Sequence, residues 1–363
     1  MKAVILVGGE GTRLRPLTCN MPKAMVPVLN TPFLEHVIGN LSRHNVREII
    51  ITLGHLAQPI KEIFGTGSRF GVRLNYVLEK TALGTAGAVK NADRYLDETF
   101  LVLNGDIFTD LDLTAMAEFH CQRKAKATIA LTPVDDPTSY GLIETDAQGR
   151  VTRFLEKPSW DQVTTNMINA GTYILEPEVI AHAPPKTNFS FEHELFPMLL
   201  DQGEPIYAYP SSAYWLDIGT PEKYFRLNED LLSGKSSQYD FSGKEVIIGD
   251  KSCCQPTVQI TGPAVIGSNC TLEQGVKMTG PVVVGAGCQI AEDTVIEESI
   301  IWHAVKIGRR VKVKGSIIAN NCHLDNDSIV EDSVLGNNVT VVSGHRPEPG
   351  SKIWPGTTVE PET

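Results

Sequence analysis

The sequence predicts an α/β domain on a mostly parallel sheet, followed by a β-solenoid. Three observations carry this. Over residues 1–232 short apolar runs alternate with helix-like segments. Two of those runs end in glycine-containing turns, Gly8–Arg13 and Asn104–Asp106. Beyond residue 245 an apolar residue tends to return every six positions, a period that fits neither a 3.6-residue helix nor one long strand.

Ala3–Val7 is the first strand, ending in glycines, and Pro32–His44 has helical spacing. Val46–Leu53, Leu74–Leu78, Phe100–Leu103 and Ala127–Leu131 continue the strands, with helix-like stretches between several of them. Strands separated by helices predict parallel pairing. Ligands on such sheets lie beyond the carboxyl ends of the strands, so Gly8–Arg13 and Asn104–Asp106 belong on one edge. Ser233–Ser242 is polar and reads as a linker, giving an expected division into 1–232, a linker 233–245, and 246–363.

In the third segment Ile248, Cys254, Ile260, Ile266, Leu272, Met278, Val284, Ile290, Ile296 and Trp302 hold one register. A slip of one residue restarts the pattern at Ile307–Gly308, continuing to Val313. Glycine follows the apolar position at Gly249, Gly267 and Gly285. Short strands that turn corners and stack their inward residues explain this period. It resembles the hexapeptide repeats of left-handed parallel β-helix proteins. Cys254, Cys270 and Cys288 then read as small apolar core fillers, not metal ligands.

Composition narrows the function. A net charge of −11 over 363 residues argues against a nucleic-acid partner. No apolar run reaches the length of a membrane span. The seven cysteines, with no CxxC pair, predict reduced thiols in a cytoplasmic protein.

The strongest local signal is Leu6-Val-Gly-Gly-Glu-Gly-Thr-Arg-Leu-Arg-Pro-Leu-Thr18, then Pro22-Lys23. A strand that runs into Gly8, Gly9 and Gly11 can present backbone N–H groups to an anion. Arg13 adds a forked charge suited to phosphate oxygens, and Lys23 a second point charge. The spacing is neither that of a Walker A loop nor of a dinucleotide fingerprint. Here the chain resembles the sugar-1-phosphate nucleotidyltransferases, whose signature is GGxGTRLxPLT followed by PK. The resemblance extends through residues 1–230 and implies a Rossmann-like catalytic domain; long members of the family also carry a C-terminal β-helix.

What the resemblance implies for residues is specific. Leu6, Gly8, Gly9, Gly11, Thr12 and Arg13 would bind the nucleotide, and Asp106 with Asp217 would hold Mg²⁺. On residues alone Asn104-Gly105-Asp106 reads first as a turn, and Asp217 is a carboxylate in an apolar stretch that calls for a cationic partner. Lys23, Glu156, Lys157, Gly141 and Asn169 would bind the sugar phosphate, with Tyr140 and Gly171 lining its pocket. Glu192 and Glu194 read as acidic residues opening a helix and stay outside the catalytic set.

Glu79, with Leu83-Gly84-Thr85, matches the segment that reads the base. A carboxylate only accepts hydrogen bonds, and guanine offers two adjacent donors, whereas thymine and uracil flank one N–H with carbonyls. Leu83-Gly-Thr-Ala-Gly87 also resembles mannose-1-phosphate guanylyltransferases, implying GTP and mannose 1-phosphate as substrates. Glucose-1-phosphate thymidylyl or uridylyl transfer is the alternative within the class. Outside it stand a hexapeptide acyltransferase using His303 or His323, and a non-catalytic scaffold. Arg13, Lys23, Asp106 and Asp217 are all present, which favours the enzyme. The solenoid reads as an assembly domain for a homo-oligomer.

Overall fold

A computed structural model describes residues 1–54, 56–239 and 245–360. The linker expected at 233–245 therefore lies partly outside the described residues. The chain forms two compact units: Met1–Glu10 with Leu34–Leu216, and Gly11–Phe33 with Asp217–Thr363.

The first unit holds a nine-stranded sheet among the described residues. Its parallel centre runs in the order Arg73–Leu78, Glu48–Leu53, Lys2–Val7, Phe100–Asn104. Ala3, Val4, Ile5, Ile49, Ile50 and Ile51 are buried, the near-continuous apolar run expected of strands covered on both faces. Met167–Leu175 then pairs antiparallel with Phe100–Asn104 and with Ala127–Pro133. The hairpin Gly141–Thr145 and Val151–Glu156 lies beyond it. Aromatic rings fill the core on one face, with Tyr173, Phe191 and Phe196 packed at centroid distances of 5.2–5.3 Å.

The second unit is a parallel β-helix with three strand faces, consistent with the left-handed solenoid expected. Its inward ladders include Ile266–Val284–Ile301–Ile318–Leu335 and Leu272–Ile290–Ile307–Leu324–Val341. Cys270, Cys288 and Cys322 are buried in this core, as the filler reading requires for the first two, while Cys254 is half-buried at the first coil.

The register differs from the sequence reading at one place. Ile266 stacks on Val284, eighteen residues on, but Val284 stacks on Ile301, seventeen on. The slip therefore falls before Trp302. Trp302 takes the corner column of Gly249, Gly267 and Gly285, and its indole leaves the solenoid core. An added Cβ on Gly285 would lie 2.5 Å from the Trp302 carbonyl carbon, so successive coils stack too tightly there for a side chain turned inward. Two further seventeen-residue coils, through Ile318 and Leu335, extend the ladder past Val313, where the sequence pattern was no longer legible.

The helix Pro221–Leu232 also belongs to this unit. Thr220 caps it through the Lys223 N–H and Pro221 occupies its first turn. No helix among the described residues is long and apolar enough to cross a membrane.

Candidate active site

In the first unit the expected residues gather at the carboxyl edge of the parallel strands. Gly8 follows the first strand, Gly54 the second, Glu79 the third and Asp106 the fourth. Backbones approach closely here. Gly105 N–H donates to the Leu6 carbonyl at 2.9 Å, and a Cβ on Gly54 would stand 2.9 Å from the Gly8 oxygen. Gly9 faces open space, since nothing lies within 4 Å of where its Cβ would be. An exposed, side-chain-free turn of this kind leaves room for a phosphate to reach the main chain.

Glu79 lies over that turn, with a Cβ on Gly8 falling 3.0 Å from its Oε1. Its Oε2 accepts a long hydrogen bond of 3.4 Å from the Leu83 N–H. Oε1 is buried without a hydrogen-bond partner, the one such side-chain atom among the described residues. Burial raises the carboxyl pKa, against the opposing hydrogen bonds from Leu83 and Thr52. An orphaned acceptor costs on the order of 1–3 kcal/mol, more when charged, and is retained where a ligand supplies the donor.

Gly84 and Thr85 serve this segment from within the chain. Gly84 has φ +69°, and a Cβ there would come 2.7 Å from the Phe189 oxygen. Phe189 N–H in turn donates to the Leu83 carbonyl at 2.9 Å. The Thr85 hydroxyl donates to Glu192 at 2.9 Å and accepts from the Phe191 N–H at 2.8 Å. Both residues thus brace the Glu79 loop.

Glu192 is the residue that sequence reasoning left aside. It does sit at a helix opening, where Ser190 caps the π-helical turn Phe191–Leu195. It also accepts from Thr85, Ser190 and the buried Tyr173 hydroxyl, the last at 3.0 Å. Tyr173 accepts from Asn169 Nδ2 at 2.8 Å. One hydrogen-bonded chain therefore links the expected nucleotide residue Thr85 to the expected sugar residue Asn169. Only pairing in space reveals it; the SxExE pattern gave a capping signal alone.

Asn169 Oδ1 accepts from Gly171 N–H at 2.9 Å and fixes a turn at φ +66°, where a Cβ would meet Asn104 Nδ2 at 2.6 Å. Trp215 donates its indole N–H to the Ala170 carbonyl at 3.0 Å and meets Tyr140 edge-on at 5.6 Å. Glu156 pairs with Gly141 across the hairpin, and a Cβ on Gly141 would fall 2.8 Å from its Oε2. Burial and then the Glu192 charge push the Glu156 pKa up. Lys157 follows in the left-handed region at φ 48°, a conformation rare for L-residues and held by the Lys157 N–H to Tyr140 carbonyl bond at 2.9 Å.

The second unit carries the remaining cations. Gly11, at φ +64°, opens the turn Thr12–Leu14, and its carbonyl accepts from the Thr18 hydroxyl at 2.7 Å. A Cβ on Gly11 would meet Lys23 Cβ at 3.2 Å, so the glycine allows Lys23 to pack against the turn that presents Arg13. Around Gly219 a Cβ would meet Asp217 Oδ2 at 2.7 Å and an Arg13 terminal nitrogen at 3.4 Å. Asp217 Oδ1 takes an ion pair from Lys223 at 2.5 Å. Lys223 is thus a cationic partner that the sequence reading wanted for Asp217 but did not find. Gly219 thus lets the Asp217 carboxylate and the Arg13 guanidinium come together at this turn.

His303 does not offer an acyltransferase base through Nδ1, which accepts the Ala286 N–H at 3.0 Å, and burial lowers its pKa. His323 is exposed beside Asp325.

Comparison with known proteins follows the same lines. Residues 2–234 match the Nucleotidyl transferase family, and residues 260–360 match the GMPPB C-terminal domain. A mannose-1-phosphate guanylyltransferase of Mycobacterium tuberculosis is 37% identical over 268 residues, 73% of this chain and 74% of that protein. A UTP–glucose-1-phosphate uridylyltransferase of Synechocystis is 34% identical over 337 residues, 88% of this chain and 87% of that one. The crystal structure of HddC from Yersinia pseudotuberculosis complexed with GMP-PN superposes with a TM-score of 0.55 at 33% identity, covering 63% of this chain and 98% of its own. The family match spans more than half of the chain, and the chain belongs to the Nucleotidyl transferase family.

Proposed function

We propose that this protein transfers the guanylyl group of GTP to mannose 1-phosphate, giving GDP-mannose and pyrophosphate. The observation that carries the base choice is Glu79 Oε1, a buried acceptor without a partner beside the Gly8 turn. Guanine N1–H and N2–H supply adjacent donors to such a carboxylate. The guanylyltransferase relative from M. tuberculosis supports the same choice.

The sugar phosphate oxygen attacks the α-phosphorus directly, forming the new P–O bond as the bond to pyrophosphate breaks. Two anions meet, so the protein's work is alignment and charge compensation. The Gly8–Thr12 amides and Arg13 hold the triphosphate and receive the departing pyrophosphate. Lys23 and Lys157 offset the charge of the reacting phosphates. Glu156 and Asn169 orient the sugar through its hydroxyls. Asp106 and Asp217 would hold a Mg²⁺ ion, which would supply charge neutralisation for the reacting phosphates. No side chain serves as a covalent nucleophile.

The Synechocystis relative, matched over more of the chain, favours a second reading, uridylyl transfer to glucose 1-phosphate. Pyrophosphate release with Mg²⁺, pairing GTP, UTP, dTTP, ATP and CTP with mannose and glucose 1-phosphates, separates the two. Release with GTP and mannose 1-phosphate supports guanylyl transfer; a preference for UTP and glucose 1-phosphate replaces it. We also take the protein to act in the cytoplasm as a homo-oligomer assembled through its β-helix. A monomeric mass by light scattering would remove the assembly claim.

A further inference from the structure

The β-helix is bonded to the segment that presents Arg13 and Lys23. Gly11–Phe33 is an arm of the second unit, ending in the hairpin Pro27–Val28 and Thr31–Pro32. The two residues of its turn, Leu29 and Asn30, have φ 45° and 67°, the geometry of a type I′ turn. Such turns favour Asn-Gly; a leucine there is held only if its surroundings impose it. Three hydrogen bonds, two of them buried, do so. Asn228 Oδ1 accepts the Leu29 N–H at 2.9 Å, and Asn30 Nδ2 donates to the Val284 carbonyl of the solenoid at 2.8 Å. The Tyr224 hydroxyl donates to the Pro27 carbonyl at 2.5 Å.

Tyr224 has a further partner. Its hydroxyl accepts the Trp302 indole N–H at 2.9 Å, and the two rings meet edge-on at 6.3 Å, both essentially without solvent exposure. Trp302 stands in the solenoid corner column kept small at Gly249, Gly267, Gly285, Ala319 and Gly336. The one large side chain buried in that column is the one that meets Tyr224. Tyr224 also follows Lys223, the partner of Asp217, on the same helix. Solenoid, helix and arm are therefore joined at one hydroxyl, four residues from Lys23.

We propose that Tyr224 is a positioning residue, clamped by Trp302, through which the β-helix holds the Arg13–Lys23 arm in its phosphate-binding geometry. The solenoid is then part of the catalytic frame as well as a surface for assembly. The catalytic half of this statement rests on the nucleotidyl-transfer reading above.

Tyr224→Phe in the full-length protein removes the bridging hydroxyl and keeps the ring. Hydrogen exchange by mass spectrometry should then show faster exchange across residues 11–33, with the solenoid core unchanged. The KM for the nucleotide should rise about three- to tenfold, the scale of one lost buried hydrogen bond, with the KM for the sugar phosphate less affected. Trp302→Phe should reproduce both changes, and Trp354→Ala, in the same column but exposed, should produce neither. Unchanged exchange in the arm would overturn the clamp. Faster exchange with unchanged kinetics would reduce Tyr224 to a structural contact and overturn the positioning role. Wild-type protein that turns over no nucleotide–sugar pair would overturn the nucleotidyl-transfer reading and the catalytic half of this one, while the exchange comparison still decides the clamp.

Discussion

Glu79→Gln exchanges one oxygen of a half-buried carboxylate for an amide and leaves the packing almost untouched. In the free protein Oε1 has no hydrogen-bond partner, and the carboxylate is held by the long 3.4 Å bond from Leu83 and the nearby Thr52 hydroxyl, so little intramolecular bonding is lost. With guanine bound, two N–H donors would meet the carboxylate. Glutamine keeps one acceptor and turns an NH₂ toward the second donor. Hydrogen bonds to charged groups contribute about 1.5–3 kcal/mol each, and partial exposure holds the total loss to roughly 2–3 kcal/mol. That corresponds to roughly a 30- to 150-fold fall in kcat/KM for GTP, with UTP and dTTP gaining relative to it. The assay is pyrophosphate release at fixed mannose 1-phosphate, with each nucleotide varied in turn. A parallel melting curve of the free protein should show no loss of stability, because burial already disfavours the charged carboxylate. A GTP kcat/KM within about twofold of wild type, with base preference unaltered, would refute the assignment.

The raised Glu79 pKa has a signed consequence. A buried acid that prefers its neutral form destabilises the fold above its raised pKa, and this penalty is gone below the ordinary carboxylate range. Guanine binding needs the charged form, so GTP affinity should weaken as pH falls, beginning above the ordinary carboxylate range. A titration of GTP binding against pH checks this, and Glu79→Gln should flatten the profile. Asp106→Ala should abolish turnover while leaving circular dichroism unchanged; substantial residual activity would remove it as a metal ligand. Gly84→Ala must accommodate φ +69° and contacts of 2.6–2.7 Å with Asn188 and Phe189. Thermal unfolding should show a loss of roughly 2–4 kcal/mol. Lys223→Met removes a partly exposed ion pair and should cost no more than about 1 kcal/mol. It should also tighten Mn²⁺ binding measured by paramagnetic resonance, since an ammonium no longer competes for Asp217; unchanged binding would remove that competition.

Much of this protein is legible in its sequence because its strongest signals are local. The parallel strands around Lys2–Val7 are continuous apolar runs, and in the turn that follows Gly11 adopts φ +64°, which favours glycine whatever surrounds it. The solenoid repeats its core position often enough that the period stands above chance. Those features arise from steric rules and from burial patterns along a short stretch of chain. What the sequence could not disclose depends on residues far apart. Thr85, Asn169, Tyr173 and Glu192 become one hydrogen-bonded chain only when their segments are brought together, and nothing local to Glu192 marks it as more than a cap. Lys223 is plain as a helical lysine and becomes Asp217's partner through the turn at Gly219. Trp302 matches the hexad count by position, yet a seventeen-residue coil carries it out of the ladder, and its partner lies 78 residues earlier on a helix. Periodicity counts residues, whereas the corner column has room for a tryptophan only if it turns outward onto something that buries it. That partner is Tyr224, and only the tertiary structure supplies it.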